Sequence, residues 1–376
     1  MKKVLQISVH LFPNIGGVET HLKDLLKSLT QQGWEVYVLS YQPLSTKTDW
    51  RIFEKTKNLT ILRIPWIRGF FEKLVNLPIL EFLYLVPGLF IVTSFILLFD
   101  RPNVIHAHGL SAAVSTVFWG KVFRVRTIIS LHSLYTFPKR GLYHNFVKFL
   151  LKNADFVLSL SKKSNHEVRS LGVENNKSGI FTYWVDLEKF KVQNAKLKVK
   201  QKLEWSKYFV VLFVGRLIEE KGIDILIQSA SLWDKNIKLV IVGAGPMERR
   251  ITEKANKIKQ IQFLGRIEQP DLPLYYSAAD CLIVPSISEE GFGRVIIESL
   301  ACSTPVIASK KGAIPEAMDE TVGKFIEVTP EGIKNGIEYL YKNPRELFKL
   351  SKNARDFVER RYSKDNVKTI IKAYTG

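Results

Sequence analysis

Two carboxylates, Glu290 and Glu298, bracket the stretch Glu290-Gly291-Phe292-Gly293-Arg294-Val295-Ile296-Ile297-Glu298. Gly291 and Gly293 leave room for a ligand to approach the backbone. A helix opening here presents free amides, which with its dipole form an anion site. Glu298, further into that helix, is an acceptor suited to vicinal hydroxyls such as those of a ribose. Glu290, in the loop, can accept from sugar hydroxyls. The bland alternative is a solvated acidic loop leading into an ordinary helix.

A second group is Val214-Gly215-Arg216-Leu217 with Glu219-Glu220-Lys221-Gly222, where an apolar run meets a helical stretch. In open α/β sheets that carboxyl-end edge is the ligand crevice. Arg216 offers a guanidinium fork and Lys221 a point charge, a pair suited to a diphosphate, unless both are simple surface charges. Gly16-Gly17-Val18-Glu19 follows the first apolar run and reads as a phosphate-facing or acceptor-facing loop, or as a tight turn. His108 and His132 end two further runs, in Ile105-His106-Ala107-His108-Gly109 and Ser130-Leu131-His132-Ser133. His106 and His108 share a strand face, so zinc is conceivable, but no third and fourth ligands stand at sensible spacing and no metal is expected. A lone strand-end histidine is often structural; two on neighbouring strands favour a site role for His132. Gly243-Ala244-Gly245 imitates a dinucleotide fingerprint, yet Glu248 occupies the third glycine position and no acidic residue ends a strand at the required offset.

The elements that must carry these residues alternate from end to end. Short apolar runs at 4–9, 36–40, 59–64, 104–108, 127–132, 156–161 and 179–185 precede a second set at 208–215, 237–243, 261–264, 281–285, 305–308 and 324–328. Most lack polar alternation, as strands buried on both faces should. Helical stretches such as 18–31 and 222–232 lie between them. This predicts an α/β chain with doubly wound parallel sheets. With 376 residues, two domains are expected. A lysine-rich stretch at 186–206 puts the boundary near 190, giving domains 1–189 and 190–361.

The chain holds 55 basic and 36 acidic residues, a net charge of +19. Its partners should be anionic. It has no RNP motif, zinc-finger spacing or dense basic block with interleaved aromatics, so nucleic acid is not expected. Anionic lipid and phosphorylated substrates remain. Two cysteines exclude a disulfide framework and fit a reducing cytosol. No signal peptide is evident, because the run at 4–9 is too short for an h-region. Residues 82–99 carry no charge over eighteen positions. They read as a buried helix on the first sheet, as a monotopic element dipping into a leaflet together with 66–71, or as a membrane span. Pro87-Gly88 and the strand starting at 104 weigh against the span.

Together the motifs GGVE (16–19), HAHG (106–109), LHS (131–133), VGRLIEEKG (214–222), VGAGP (242–246), FLGRI (263–267) and EGFGRVIIESLACSTPVIAS (290–309) resemble the family-4 retaining glycosyltransferases of the GT-B fold. The resemblance covers nearly the whole chain, and its E-x7-E pair is Glu290 and Glu298. It implies two Rossmann-like domains facing across a cleft, with 362–376 packing back on the first. It also implies a nucleotide-diphosphate sugar as donor, UDP- or GDP-linked. Glu298 would hold the ribose. Glu290 would contact the donor sugar, aided by the amides of Gly291, Phe292, Gly293 and Arg294. Arg216 and Lys221 would bind the diphosphate. Gly265, Arg266 and Ile267 would border the base, while His132, Gly16 and Gly17 would come from the first domain. The family's Pro-Asn-Gly-Val-Asp is replaced by Thr182-Tyr183-Trp184-Val185-Asp186, which suggests an aromatic lining there. A milder change puts Ala313 in the family's Gly-Gly-Ile-Pro-Glu, here 312–316.

The implied chemistry is retaining transfer of a hexose without a metal or other cofactor, the leaving phosphate accepting the acceptor's proton. GGVE and the stretch 132–137 resemble the phosphatidylinositol glycosyltransferases. With the apolar segment and the basic charge they favour a lipid-linked acceptor, or otherwise a saccharide one, in a cytoplasmic protein at the inner membrane face. The competing readings are a nucleotide-sugar epimerase of the same fold, a non-catalytic sugar-nucleotide-binding protein and a nicotinamide oxidoreductase.

Overall fold

The computed structural model describes residues 2–14, 16–44, 48–67, 74, 77–135, 137–190 and 195–376. Positions 68–71 of the expected leaflet-dipping stretch lie outside the described residues. The chain divides into two compact units, Met1–Tyr183 with Asp365–Gly376, and Trp184–Lys364. The sequence expectation set the first change near 190 and began the returning segment at 362.

In the first unit, eight strands form one sheet: β1 (Lys3–Ser8), β2 (Glu35–Tyr41), β3 (Phe53–Lys55), β4 (Leu59–Ile64), β5 (Val104–His108), β6 (Arg126–Leu131), β7 (Phe156–Ser159) and β8 (Ser178–Ile180). Their order is β3-β4-β2-β1-β5-β6-β7-β8. All neighbours run parallel except the β3–β4 edge pair. The register sets Val4 beside Val36 on one side and Val104 on the other. Leu5, Ile7, Leu39, Ile105, Ile129 and Val157 are fully buried, as interior strands covered on both faces require. Two expectations shift here. The antiparallel β3 was not anticipated, since three residues carry no readable period. The run 179–185 leaves the sheet after Ile180, although Phe181, Tyr183 and Trp184 stay buried.

Helices α1 (Gly17–Gln31), α2 (Pro78–Phe99), α3 (Leu110–Phe123), α4 (Leu142–Asn153) and α5 (Lys162–Ser170) complete most of this unit. Gly33 takes φ +81°, a left-handed value that glycine tolerates, and lets the chain turn from α1 into β2. The charge-free segment is α2, and it runs straight through Pro87. Leu85, Leu89, Thr93 and Leu97 recur at four-residue intervals and are fully buried, so one stripe belongs to the core. Gly88 leaves room for the Tyr41 phenol, whose hydroxyl donates to the Leu85 carbonyl.

The opposite side of α2 exposes Ile79, Leu80, Leu83, Ile91, Phe95, Leu98 and Phe99. Only 28% of the apolar stretch is buried. A core helix hidden on all sides is therefore not what the structure contains. A tilted contact of Phe90 with Phe118 and an edge-on contact of Phe82 with Phe146 join α2 to α3 and α4, which expose Phe118, Val122, Leu142 and Phe149 beside it.

The second unit is a six-stranded, wholly parallel sheet of β9 (Phe209–Val214), β10 (Ile237–Val242), β11 (Ile261–Phe263), β12 (Cys281–Val284), β13 (Val306–Ser309) and β14 (Gly323–Ile326). The order β11-β10-β9-β12-β13-β14 is that of a doubly wound sheet, with its switch point between β9 and β12. Helices α6 (Ala195–Lys202), α7 (Ile223–Ala230), α8 (Glu248–Ala255), α9 (Leu272–Ala278), α10 (Arg294–Ala301), α11 (Ile314–Ala317), α12 (Pro330–Lys342) and α13 (Pro344–Arg361) connect and cover it. Leu239, Ile241, Ile283 and Ile307 pack with Ile227 and Ile337 in its core. The last helix, α14 (Val367–Thr375), belongs to the first unit, where Arg126 Nε donates to the Ala373 carbonyl at 2.8 Å.

Candidate functional site

The loops at the carboxyl ends of β9, β10, β12 and β13 interlock through glycines. A Cβ on Gly222, at φ +68°, would collide with the Pro285 carbonyl. One on Gly312, at φ +60°, would strike the backbone of Glu290. Ala313 N donates to the Glu290 carbonyl at 2.8 Å, and Ile287 N to that of Glu220 at 3.0 Å. The fingerprint-like glycines serve the same packing, since side chains at Gly243 and Gly245 would overlap Gly215 and Leu217. These contacts place the Arg216–Lys221 loop against the Glu290–Gly293 loop at the switch point of the second sheet.

Lys221 Nζ forms an ion pair with Glu290 Oε1, which also accepts from the Ser286 hydroxyl at 2.5 Å. Arg216 is exposed, and among the described residues it has no ion-pair partner. Gly293 takes φ +83° and caps α10, whose first turn begins at Arg294. Gly291 and Gly293 are partly exposed. Phe292 is not open: its ring is buried edge-on against Tyr362, at 5.5 Å between centroids, which leaves its backbone for a ligand.

Glu298 is 4% exposed and sits under this loop. Oε1 accepts from Arg294 Nε at 2.9 Å and Oε2 from the Tyr276 hydroxyl at 3.0 Å. Burial and the neighbouring carboxylate push the Tyr276 phenol well above its ordinary pKa, so it stays a donor. Gly265, Arg266 and Ile267 follow β11; Arg266 pairs with Glu268 at 2.8 Å, and Gly243 N donates to the Gly265 carbonyl at 2.9 Å. An open groove of about 640 Å³ lies at the carboxyl ends of β13 and β14, lined by Ile287, Lys310 and Lys311 among others.

In the first unit, Gly16 caps α1, Gly17 opens it, and His132 directly follows β6. A side chain at Gly16 would collide with the Glu19 carboxylate. His132 is buried with His108, His106 and His21. His132 Nε2 meets His108 Nδ1 at 2.9 Å, and His132 Nδ1 meets the Tyr183 hydroxyl at 3.1 Å. His108 Nε2 meets Gln6 Oε1 at 2.7 Å. His106 lies between Tyr374 and Ser130, at 2.7 Å from each. Burial drives all three pKa values down, that of His132 to about 3, so the rings are neutral. Both zinc-candidate histidines thus spend their ring nitrogens on protein partners.

The structure gathers Arg216, Lys221, Glu290, Gly291, Phe292, Gly293, Arg294 and Glu298 at one sheet edge of the second unit, with Gly265, Arg266 and Ile267 after its outer strand. Gly16, Gly17 and His132 lie at the carboxyl ends of β1 and β6. Ser286 and Tyr276 were missed in the sequence. Ser286 stands at the end of a strand, where the same edge rule reveals it. Tyr276 carries no local signal, because its partner is 22 positions away. Tyr183 was seen only as a lining residue, and Gln6 and Tyr374 join the first-unit cluster from the chain's two ends.

Known proteins resemble this chain along nearly its whole length. The family model Glycosyl transferases group 1 matches residues 195–374, and that of Glycosyltransferase Family 4 matches residues 15–189. An uncharacterized glycosyltransferase of Methanocaldococcus jannaschii is 28% identical, with 94% of this chain and 93% of that protein aligned. A phosphatidylinositol N-acetylglucosaminyltransferase subunit of Saccharomyces cerevisiae is 24% identical over 85% of this chain and 70% of its own. Among solved structures, sucrose-phosphate synthase from Thermosynechococcus elongatus superposes with a TM-score of 0.84 at 23% identity, over 100% of this chain and 98% of its own. Anabaena HepE in complex with UDP does so with 0.79 at 20%, over 99% and 98%. With both halves matched by the two halves of one family and both sheets matched by its fold, the chain belongs to the family-4, group 1 glycosyltransferases of the GT-B fold.

Proposed function

We propose that the protein transfers a hexose, with retention, from a UDP- or GDP-linked sugar to a lipid-linked or saccharide acceptor at the cytosolic membrane face. The observation that carries this is the Lys221–Glu290 pair between exposed Arg216 and the amides opening α10. Breaking the anomeric bond leaves charge on a diphosphate, and fixed cationic donors stabilise that charge as it develops. A diphosphate drawing Lys221 toward itself frees Glu290 to accept from sugar hydroxyls. The donor reading is supported by the Anabaena relative, whose structures hold UDP and UDP-glucose. The positive charge is supplied by Arg216, Lys221 and the helix start, so the reaction runs without a resident metal.

His132, with a pKa near 3, is a weak base at neutral pH. This favours front-face attack in which the acceptor hydroxyl gives its proton to the leaving phosphate oxygen. The glycosidic bond then forms on the face from which the nucleoside diphosphate departs. Product anomeric configuration, read by NMR, tests retention; inversion overturns it.

The acceptor side is supported by the yeast relative's name and by the apolar face of α2, α3 and α4. Between residues 77 and 153 the chain carries eight Lys or Arg and two Asp or Glu. Exposed Lys121, Arg124, Lys139, Arg140, Lys148 and Lys152 flank the apolar face. That combination fits a leaflet containing anionic lipid, with the apolar side chains inserted and the basic ones at the headgroups. The overall reading is tested by calorimetric titration with UDP, GDP, ADP and NAD. Tight binding of one nucleoside diphosphate supports it; binding of NAD alone, or of none, overturns it.

A further inference from the structure

The groove at the carboxyl ends of β13 and β14 has no part in the chemistry proposed above. Its volume of about 640 Å³ lies within the range of small-molecule sites, about 300–1,000 Å³. Lys310 and Lys311 stand in its wall, directly after β13, and both are exposed. Among the described residues neither is ion-paired. Lys310 Nζ lies 5.3 Å from the centre of the Phe325 ring, which supports the ammonium without neutralising it. Two uncompensated ammonium groups on one wall favour an anion in the space beside them.

Ser309, the last residue of β13, belongs to the same wall. It is 1% exposed, and its Oγ has no hydrogen-bond partner among the described residues. Folded proteins rarely leave a buried hydroxyl so, because the unmade bond is costly. The rest of the wall suits a hydroxylated ligand. Glu327 is exposed and pairs with neither lysine, so its oxygens are open to hydroxyl donors. Ile287 and Phe325 offer apolar surface to the C–H faces of a ring.

The groove adjoins the candidate donor site along the chain. Ile287 follows Ser286, whose hydroxyl donates to Glu290 Oε1. Lys311 precedes Gly312, which lies against the Glu290 backbone. In the proposed reaction Arg216, Lys221 and the start of α10 already answer the two phosphates of a donor. The lysines at 310 and 311 therefore answer a further negative charge. We propose that this groove is a subsite for an acidic sugar, whose carboxylate or phosphate is held by Lys310 and Lys311 next to the Glu290 loop. The charge sits on the sugar that is moved or on the one that accepts it, and either presents the same chemistry to the groove. The identification of the ligand as a sugar rests on the proposed glycosyl transfer; the unpaired cations do not.

The test is calorimetric titration of the full-length protein in two arms. The first compares UDP-glucuronate with UDP-glucose. The second compares glucuronate and glucose 6-phosphate with glucose, with and without UDP. In one arm the charged ligand should bind about 5- to 30-fold more tightly, the range for two exposed ion pairs. A preference in the first arm assigns the charge to the donor, and one in the second assigns it to the acceptor. Lys310→Ala combined with Lys311→Ala should abolish the preference and leave UDP affinity unchanged. No preference in either arm, from protein that binds UDP, overturns the proposal. So does a preference that survives in the folded double variant. Inorganic phosphate binding as tightly as the charged sugars would overturn the saccharide. Failure to bind UDP counts against the UDP donor instead and leaves the free sugars to decide the groove alone.

Discussion

Lys221 and Glu290, 69 positions apart in sequence, are ion-paired at the switch point of the second sheet. The pair is held by close backbone packing, Gly222 against Pro285 and Gly312 against Glu290. Neither partner is fully buried, so each remains within reach of a ligand. Lys221→Ala should weaken nucleoside diphosphate binding about 10- to 150-fold, the range for one charge-assisted bond of about 1.5–3 kcal/mol. Calorimetric titration with UDP measures this. Glu290→Gln should instead lower kcat more than it changes UDP affinity.

Gly312→Ala tests the support beneath that pair. Its φ of +60° and the Glu290 backbone beside it leave no place for a methyl group. A loss of about 1–3 kcal/mol in urea unfolding is expected, together with weaker UDP binding. A neutral result would mean that the loop shifts freely and does not locate Glu290.

Arg294 and Glu298 form a second, deeper pair, each about 6% exposed in its side chain. Glu298→Ala takes the carboxylate away from the buried Arg294 guanidinium and from the Tyr276 hydroxyl and should cost about 3–5 kcal/mol of stability. Tyr276→Phe leaves the ion pair whole and should cost about 1–3 kcal/mol. Equal unfolding midpoints for the two variants would contradict this ordering.

All seven histidines lie in the first unit, and the buried ones set its acid response. His106, His108 and His132 have depressed pKa values in the folded state, against about 6.5 when unfolded. Between those limits the unfolded chain binds more protons than the folded one. Stability is therefore full above about pH 6.5 and falls as pH drops toward 3, by up to about 1.4 kcal/mol per unit for each histidine. Hydrogen exchange across this range should show the first unit opening before the second.

The apolar face yields two further outcomes. Ile91→Ser with Phe95→Ser should reduce flotation with vesicles containing anionic lipid while leaving UDP binding unchanged, since both side chains are more than half exposed. Raising salt should weaken the same partition. Equal recovery of wild type and double variant would remove the leaflet as the partner of this face. Treatment with a chelator should leave transfer activity intact; a loss restored by added divalent cation would overturn the metal-free reaction.

Wherever the signal was local, the sequence determined the outcome by itself. Both-face-buried runs such as Ile237–Val242 read as parallel strands because their apolar residues do not alternate. The closely spaced glycines marked the turn before α10, where Gly293 takes the left-handed φ that glycine tolerates. Three features depended on tertiary structure. The period of α2 did not say that only the stripe of Leu85, Leu89, Thr93 and Leu97 would be covered, since burial depends on what packs alongside. Lys221 and Glu290 were legible as separate candidates, but their pairing depends on loops that meet only when β9 and β12 become neighbours. The hydrogen-bonded chain of buried residues around His132 was the least legible part. Gln6 and Tyr374 stand 368 positions apart, and hydrogen-bond partners at that separation leave no periodicity or spacing in a single chain.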